Sequence, residues 1–145
     1  DGGREPDGRG TSPRLARLRA IDAREAGAWE EAERWLRVVL RHRPRDAVST
    51  RELALALFRQ RRVVDAVPWA RRAVLLAPGE PAGWVLLGDL LGAKREVEAA
   101  EGAWRQALAV APGDPPASRR LDRLGVDVDG LLAELAVDGA AAAVD

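Results

Sequence analysis

Apolar residues recur three, four and seven apart along most of this chain, the spacing that gathers side chains onto one side of an α-helix. Trp84, Leu87, Gly88 and Leu91 form one such stripe, and Ala100, Trp104 and Ala107 form the next. Leu53, Ala54 and Leu57, followed by Ala66 and Ala73, repeat the arrangement in the preceding stretch. Prolines punctuate the pattern at Pro44, Pro78 and Pro112, each 34 residues after the last. A fixed period of this length is the mark of a repeat architecture, in which every unit is one supersecondary element. The marks divide the chain into units 13–46, 47–80 and 81–114, each predicted to hold two helices.

Boundary residues agree with this division. Ser12 before Pro13, Asp46, and Asp114 before Pro115 each offer an oxygen to a helix start, with proline at the first helical position in two cases. Gly27, Gly92 and Gly125 stand where helices are expected to stop. Pro68 falls early in the second helix of the middle unit and removes the bond to the carbonyl of Val64, so a kink or a late helix start is expected there. Beyond the third unit, 115–125 reads as one more helix with Leu121 and Leu124 on a single face. Residues 126–139 predict a short helix through Leu131, Leu132 and Leu135. Residues 1–10 and 140–145 are expected to be disordered.

Unit 81–114 resembles the tetratricopeptide-repeat family at each signature position. Trp84, Leu87, Gly88 and Leu91 occupy its first helix, and Ala100, Trp104, Ala107 and Pro112 follow. The resemblance has a physical basis: Gly88 and Ala100 are small where two helices of a hairpin cross closely, and Trp84 and Trp104 fill the flanking space. The middle unit keeps the register, with Thr50 in place of the leading aromatic residue. The first unit is degraded in its opening helix, where Arg19 replaces Leu, but Gly27 to Pro44 carries the second-helix pattern throughout. The resemblance implies an all-α fold, a right-handed α-α superhelix of helix-turn-helix repeats over 11–125. Residues 115–125 then serve as the capping helix that covers the last hairpin, and 126–145 form a short helix and flexible tail.

The same resemblance implies a binding site. In this family the first helices of successive repeats line a concave groove. The register places Arg14, Arg17, Leu18, Ile21, Arg24 and Glu25 there from the first unit, and Val48, Arg51, Glu52, Leu55, Phe58 and Arg59 from the second. The third unit adds Ala82, Val85, Leu86, Asp89, Gly92 and Ala93. Relatives that hold the C-terminal carboxylate of heat-shock chaperones use a clamp of Lys, Asn and Arg at these positions. Only Arg17 fits that set; Ile21, Glu52, Ala82 and Leu86 stand where the others should be, so the chain is expected not to be a chaperone-tail receptor. The expected site is an apolar strip of Ile21, Leu55, Phe58 and Val85, bordered by Arg14, Arg17, Arg51 and Arg59 at one end and Asp89 at the other. It suits an amphipathic helix or an extended peptide with acidic residues near its start.

Composition narrows the alternatives. Among 145 residues, 47 % are apolar but only five Trp and one Phe are aromatic, so the core must be built mainly from Ala, Leu and Val. Cysteine is absent, which removes disulfides, thiolate metal sites and cysteine nucleophiles. The charges sum to zero but are unevenly placed: residues 1–72 carry 17 Arg against 11 acids, and 73–145 carry six basic residues against 12 acids. Arg in place of Lys, with abundant Ala, Gly and Val, points to a high-GC, bacterial genome. No run reaches the roughly 18 apolar residues of a membrane span, and the opening residues lack the apolar stretch of a signal peptide. A soluble module is expected, with the cytoplasm ahead of other compartments. The absence of Met suggests a piece of a longer product.

Chemistry is hard to assemble from these residues. His42 is the only histidine and sits between Arg41 and Arg43 at a helix end, where the helix dipole favours a cation. With no second His and no Cys, it completes neither a metal site nor a triad with Ser12, Ser49 or Ser118. Glu30, Glu31 and Glu33, and likewise Glu96, Glu98 and Glu101, open second helices and read as first-turn acids paired with Arg34 and Arg105. Trp29, Trp35, Trp69 and Trp104 fall at packing positions rather than on a stacking surface. The stretch from Arg34 to Arg72 holds eleven Arg against Asp46, Glu52 and Asp65, which could attract RNA or an acidic tail, with a solvated helix face as the plainer reading. The expected function is therefore a protein-binding adaptor without catalytic residues, metal or cofactor, taking a protein or peptide partner that carries acidic residues. No small-molecule substrate or membrane is expected, and nucleic acid ranks behind protein. The alternatives are a structural or self-associating repeat segment and, third, RNA binding through the Arg-rich stretch.

Overall fold

Eight helices follow one another through the described residues, 10–144 for the backbone and 10–139 for side chains, in a computed structural model. They are α1 (Pro13–Glu25), α2 (Trp29–His42), α3 (Ala47–Arg59), α4 (Val63–Leu76), α5 (Pro81–Ala93), α6 (Val97–Val110), α7 (Pro115–Arg123) and α8 (Val128–Val144). No strand occurs among the described residues. The expected disorder at 1–9 and Asp145 lies outside them.

The starts follow from the capping residues. Ser12 Oγ accepts from Leu15 N at 3.1 Å, the Asp46 carboxylate from Ser49 N and Oγ, and Asp114 Oδ2 from Ala117 N at 3.1 Å. Each satisfies a donor that the first turn of a helix leaves open. Pro44, Pro78 and Pro112 all fall in the turns that join α2 to α3, α4 to α5 and α6 to α7. The repeat period is thus a period of hairpins.

The stops differ from expectation at one place. Gly27 and Gly125 take left-handed φ values of 72° and 80° just past α1 and α7, but Gly92 lies inside α5. In the second and third hairpins the left-handed residue is arginine: Arg61 at φ 62° and Arg95 at φ 64°. Gly27, Arg61 and Arg95 are each 34 residues apart, so the fold demands this conformation once per repeat whatever residue is there. The same six-residue closure follows each time, from Ala28 N to Ala23 O, Arg62 N to Leu57 O and Glu96 N to Leu91 O, at 2.8, 3.0 and 2.9 Å. A side chain in that region costs about 1–2 kcal/mol, partly offset by its smaller unfolded-state entropy relative to glycine. Arg95→Gly should therefore raise the unfolding free energy by about 0.5–1 kcal/mol, read as a higher urea midpoint; a lowered midpoint would rule out this account of the turn.

Pro68 does not delay α4, which begins at Val63 and runs through it. Both Pro68 and Val64 are exposed, so water can serve the carbonyl that the missing N–H leaves open. α8 is also longer than the predicted helix, its backbone continuing to Val144.

The chain forms two compact units, Asp1–Ala77 and Pro78–Asp145. In the first, α1 pairs with α2 and α3 with α4, and α2 packs on α3. Ala16, Ala20, Ala32, Ala54, Ala66 and Ala70 are almost wholly buried, and their small size lets the helices approach closely around Leu36, Leu53 and Leu57. In the second unit α5 pairs with α6, α7 packs on α6, and α8 on α7. Ala117 and Leu121 of α7 are fully buried with Val85, Ala107, Leu108 and Leu131, so α7 covers the last hairpin. Leu124, expected beside Leu121, is the C-cap of α7 and 42 % exposed.

Candidate partner-binding face

Within the first unit, α1 and α3 are tied side by side by one buried carboxylate. Glu52 receives Arg17 at two oxygens, 3.0 and 3.1 Å, and Arg24 at 3.5 Å. Arg17 also donates to Ser49 Oγ at 3.0 Å. Glu52 is only 9 % exposed, and a carboxylate removed from water this far needs such charged donors. Arg17, expected as a free cation, is thereby neutralised from inside the unit.

Around this ion pair the two helices present the other expected residues. Ile21, Leu55 and Phe58 are half-buried, Leu18 is 60 % and Val48 40 % exposed. Val48, Arg51, Leu55 and Phe58 are spaced three, four and three apart, one stripe along α3. Arg14 is exposed and Arg51 half-buried at its border. Arg59 turns instead onto the Trp29 ring, its guanidinium 5.6 Å from the centroid. The face is thus an apolar stripe with Arg14 and Arg51 as its cations.

The two expected site residues of the second unit have other engagements. Val85 is 8 % exposed and belongs to the core under α7. Asp89 accepts from Arg120 at both oxygens, the Nη2–Oδ2 bond being 2.8 Å, and from Trp104 Nε1 at 3.2 Å. It fastens α5 to α6 and α7 within the unit.

The remaining candidates are placed as the spacing implies, with one exception. Arg34 lies 4.0 Å from Glu30 and Arg105 3.4 Å from Glu101, pairs one turn apart in which only Glu30 is fully exposed. His42 is exposed in the last turn of α2. Trp35 packs against Ala16, Val38 and Val39, and Trp69 lies under Arg37 at 5.8 Å. The exception is Glu33, which is not a solvated first-turn acid but 8 % exposed. Gln60 Nε2 donates to it at 3.1 Å, Arg62 at 2.7 Å and Arg37 at 2.9 and 3.0 Å. Burial pushes its pKa up, but the hydrogen bonds from Gln60 and Arg37 and the charges of Arg37 and Arg62 outweigh this and hold it below the ordinary carboxylate value. Sequence spacing finds Arg37, one turn away; Gln60 and Arg62 come from the α3–α4 turn, which local pattern cannot connect to α2. Among the described residues no group of three His, Cys, Asp or Glu is placed to hold a metal ion, and no helix is long and apolar enough to cross a membrane.

Comparison with known proteins agrees with this architecture. The sequence profile of the tetratricopeptide repeat matches residues 17–81. No curated protein matches the chain in sequence. Among solved structures, the first such domain of Spaghetti (RPAP3), bound to an HSP90 peptide, superposes with a TM-score of 0.73 at 19 % identity, covering 83 % of this chain and 93 % of that one. The OM64 domain of Arabidopsis gives 0.74 at 16 % identity over 77 % and 93 %. The first domain of human RPAP3 gives 0.72 at 20 % over 86 % and 97 %. At these identities the likeness is one of fold.

Proposed function

We propose that the chain, whose residues 17–81 match the tetratricopeptide-repeat profile, is a protein-interaction module whose α1–α3 face holds an apolar helix or peptide of a partner protein. The observation that supports the reading is the stripe of Val48, Leu55 and Phe58 with Leu18 and Ile21 beside it, left partly open to water on two helices tied by the Arg17–Glu52 ion pair. Several structural neighbours are solved with chaperone peptides, among them Spaghetti with an HSP90 peptide and yeast Sti1 with Hsp70. That precedent favours a peptide ligand, while the residues here favour a different one. Arg17 and Arg24 already surround Glu52, so a partner's carboxylates have Arg14 and Arg51 to meet instead. Binding then comes from buried apolar area, with Arg51 setting orientation and association rate. The mechanism is complementarity, and no residue is assigned a catalytic role.

Phe58→Ala and Arg51→Glu test this by affinity capture from the source organism followed by titration of the captured partner. Truncating a half-buried aromatic anchor should weaken binding by about 2 kcal/mol, roughly thirtyfold. Arg51→Glu should weaken it less and flatten its dependence on salt. Equal capture by wild type and both variants, with helix content unchanged, would remove the face from consideration.

A further inference from the structure

Charge divides at the boundary between the two units. Residues 1–77 carry 17 Arg against 11 carboxylates, and 78–145 carry six cations against 12. A chain of zero net charge is therefore made of two nearly equal and opposite halves. In the first unit the excess gathers at the α2–α3 turn. Arg43 and Arg45 are exposed there, and Arg72 reaches across from α4 to donate to Pro44 O at 3.0 Å. The nearest carboxylate, Asp46, is taken up by Ser49. In the second unit Glu134 and Asp138 are exposed one turn apart on α8, and Asp127, also exposed, stands just before the helix, where it accepts from Gly130 N at 3.0 Å. Arg105 borders the same hollow as Asp127 and Glu134 but is engaged by Glu101, so the flank keeps its negative excess.

We propose that the protein associates with itself, the basic α2–α3 turn of one copy docking on the acidic α8 flank of a second. Each copy supplies both surfaces, of opposite sign and comparable charge, which no unrelated acidic partner is required to match. Zero net charge removes the long-range repulsion that keeps like molecules apart, so the local attraction is unopposed. A nucleic acid fits less well, because it meets an equal negative charge on the same molecule, and the rings of Trp29 and Trp69 are covered by Arg59 and Arg37. The two surfaces are different patches, so a single contact leaves the acidic flank of one copy and the basic turn of the other still unpaired.

Sedimentation over a range of protein concentrations, in about 20 mM and about 500 mM salt, tests this directly, since screening at the higher value shortens the reach of exposed charges to a few ångströms. The expected result is a mass that grows with concentration at low salt and returns to the monomer at high salt. Arg43→Glu with Arg45→Glu should abolish the growth, and so should Glu134→Lys with Asp138→Lys. Mixing the two double variants should restore it, because each then offers the surface that the other now needs. The proposal is overturned by a monomer at low salt throughout, by association that survives both salt and reversal, by mass growth that depends on added nucleic acid, or by variants that stay monomeric when mixed.

Discussion

Gly88→Ala should lower the unfolding free energy by about 2–3 kcal/mol, although alanine is the better helix former by about 1 kcal/mol. A Cβ on Gly88 would fall 2.5 Å from Trp104 Cδ1 and closer still to Nε1, well inside contact distance. The indole cannot simply retreat. Its Nε1 donates to Asp89 at 3.2 Å, and its far edge rests within 3.7 Å of the place where a Gly92 Cβ would be. Moving the ring gives up that hydrogen bond and loosens Asp89, which also holds Arg120 of α7. Two controls separate overpacking from propensity. A Cβ at Gly102, exposed on α6, meets nothing within 4 Å, so Gly102→Ala should stabilise by about 1 kcal/mol. A Cβ at Gly92 meets only ordinary contacts, so Gly92→Ala should be neutral or slightly stabilising. Urea titration followed by circular dichroism reads all three, and a Gly88→Ala midpoint at or above wild type would mean that Trp104 does not pack into the notch.

That notch illustrates what the sequence could and could not reveal. The repeat period, the hairpin junctions and three side-chain caps were legible because they rest on local chemistry: proline geometry, capping oxygens and apolar spacing within one turn. The pairing of Gly88 with Ala100 as small against small was only half correct, since Trp104 enters the space that Gly88 leaves. The stop assigned to Gly92 also failed. Gly92 lies inside α5 with room for a Cβ beside Trp104, while the left-handed turn falls three residues later on Arg95. The register placed the α1–α3 face, but it could not show that Arg17 is already neutralised, because Glu52 lies 35 residues away. Val85 was read as part of the apolar strip and Asp89 as its border for the same reason: what covers them, Leu121 and Arg120, belongs to α7. Spacing shows which face a residue lies on, but not what stands opposite it.

Glu33 is the second place where a long-range partner changes the outcome. Glu33→Ala should cost about 3 kcal/mol, since it removes one acceptor from Gln60 and leaves Arg37 and Arg62 facing each other with no charge between them. Glu33→Gln keeps the shape and an acceptor oxygen, and should cost about half as much because both arginines can still reach water. The contribution also depends on pH, and its sign follows from the direction of the shift. The folded pKa of Glu33 lies below its ordinary value of 4.5, so the unfolded chain binds protons more readily. The stabilisation is therefore complete above that value and is lost as pH falls through the lower folded value. Other carboxylates titrate in the same range, so the informative quantity is the difference between wild type and Glu33→Gln. That difference should be largest well above pH 4.5 and shrink as pH falls through the lowered folded value, below which protonation makes the wild-type side chain neutral like the variant's. Should it stay constant across this interval, the α2 to α3–α4 junction would depend on the shape and hydrogen bonds of Glu33 and not on its charge.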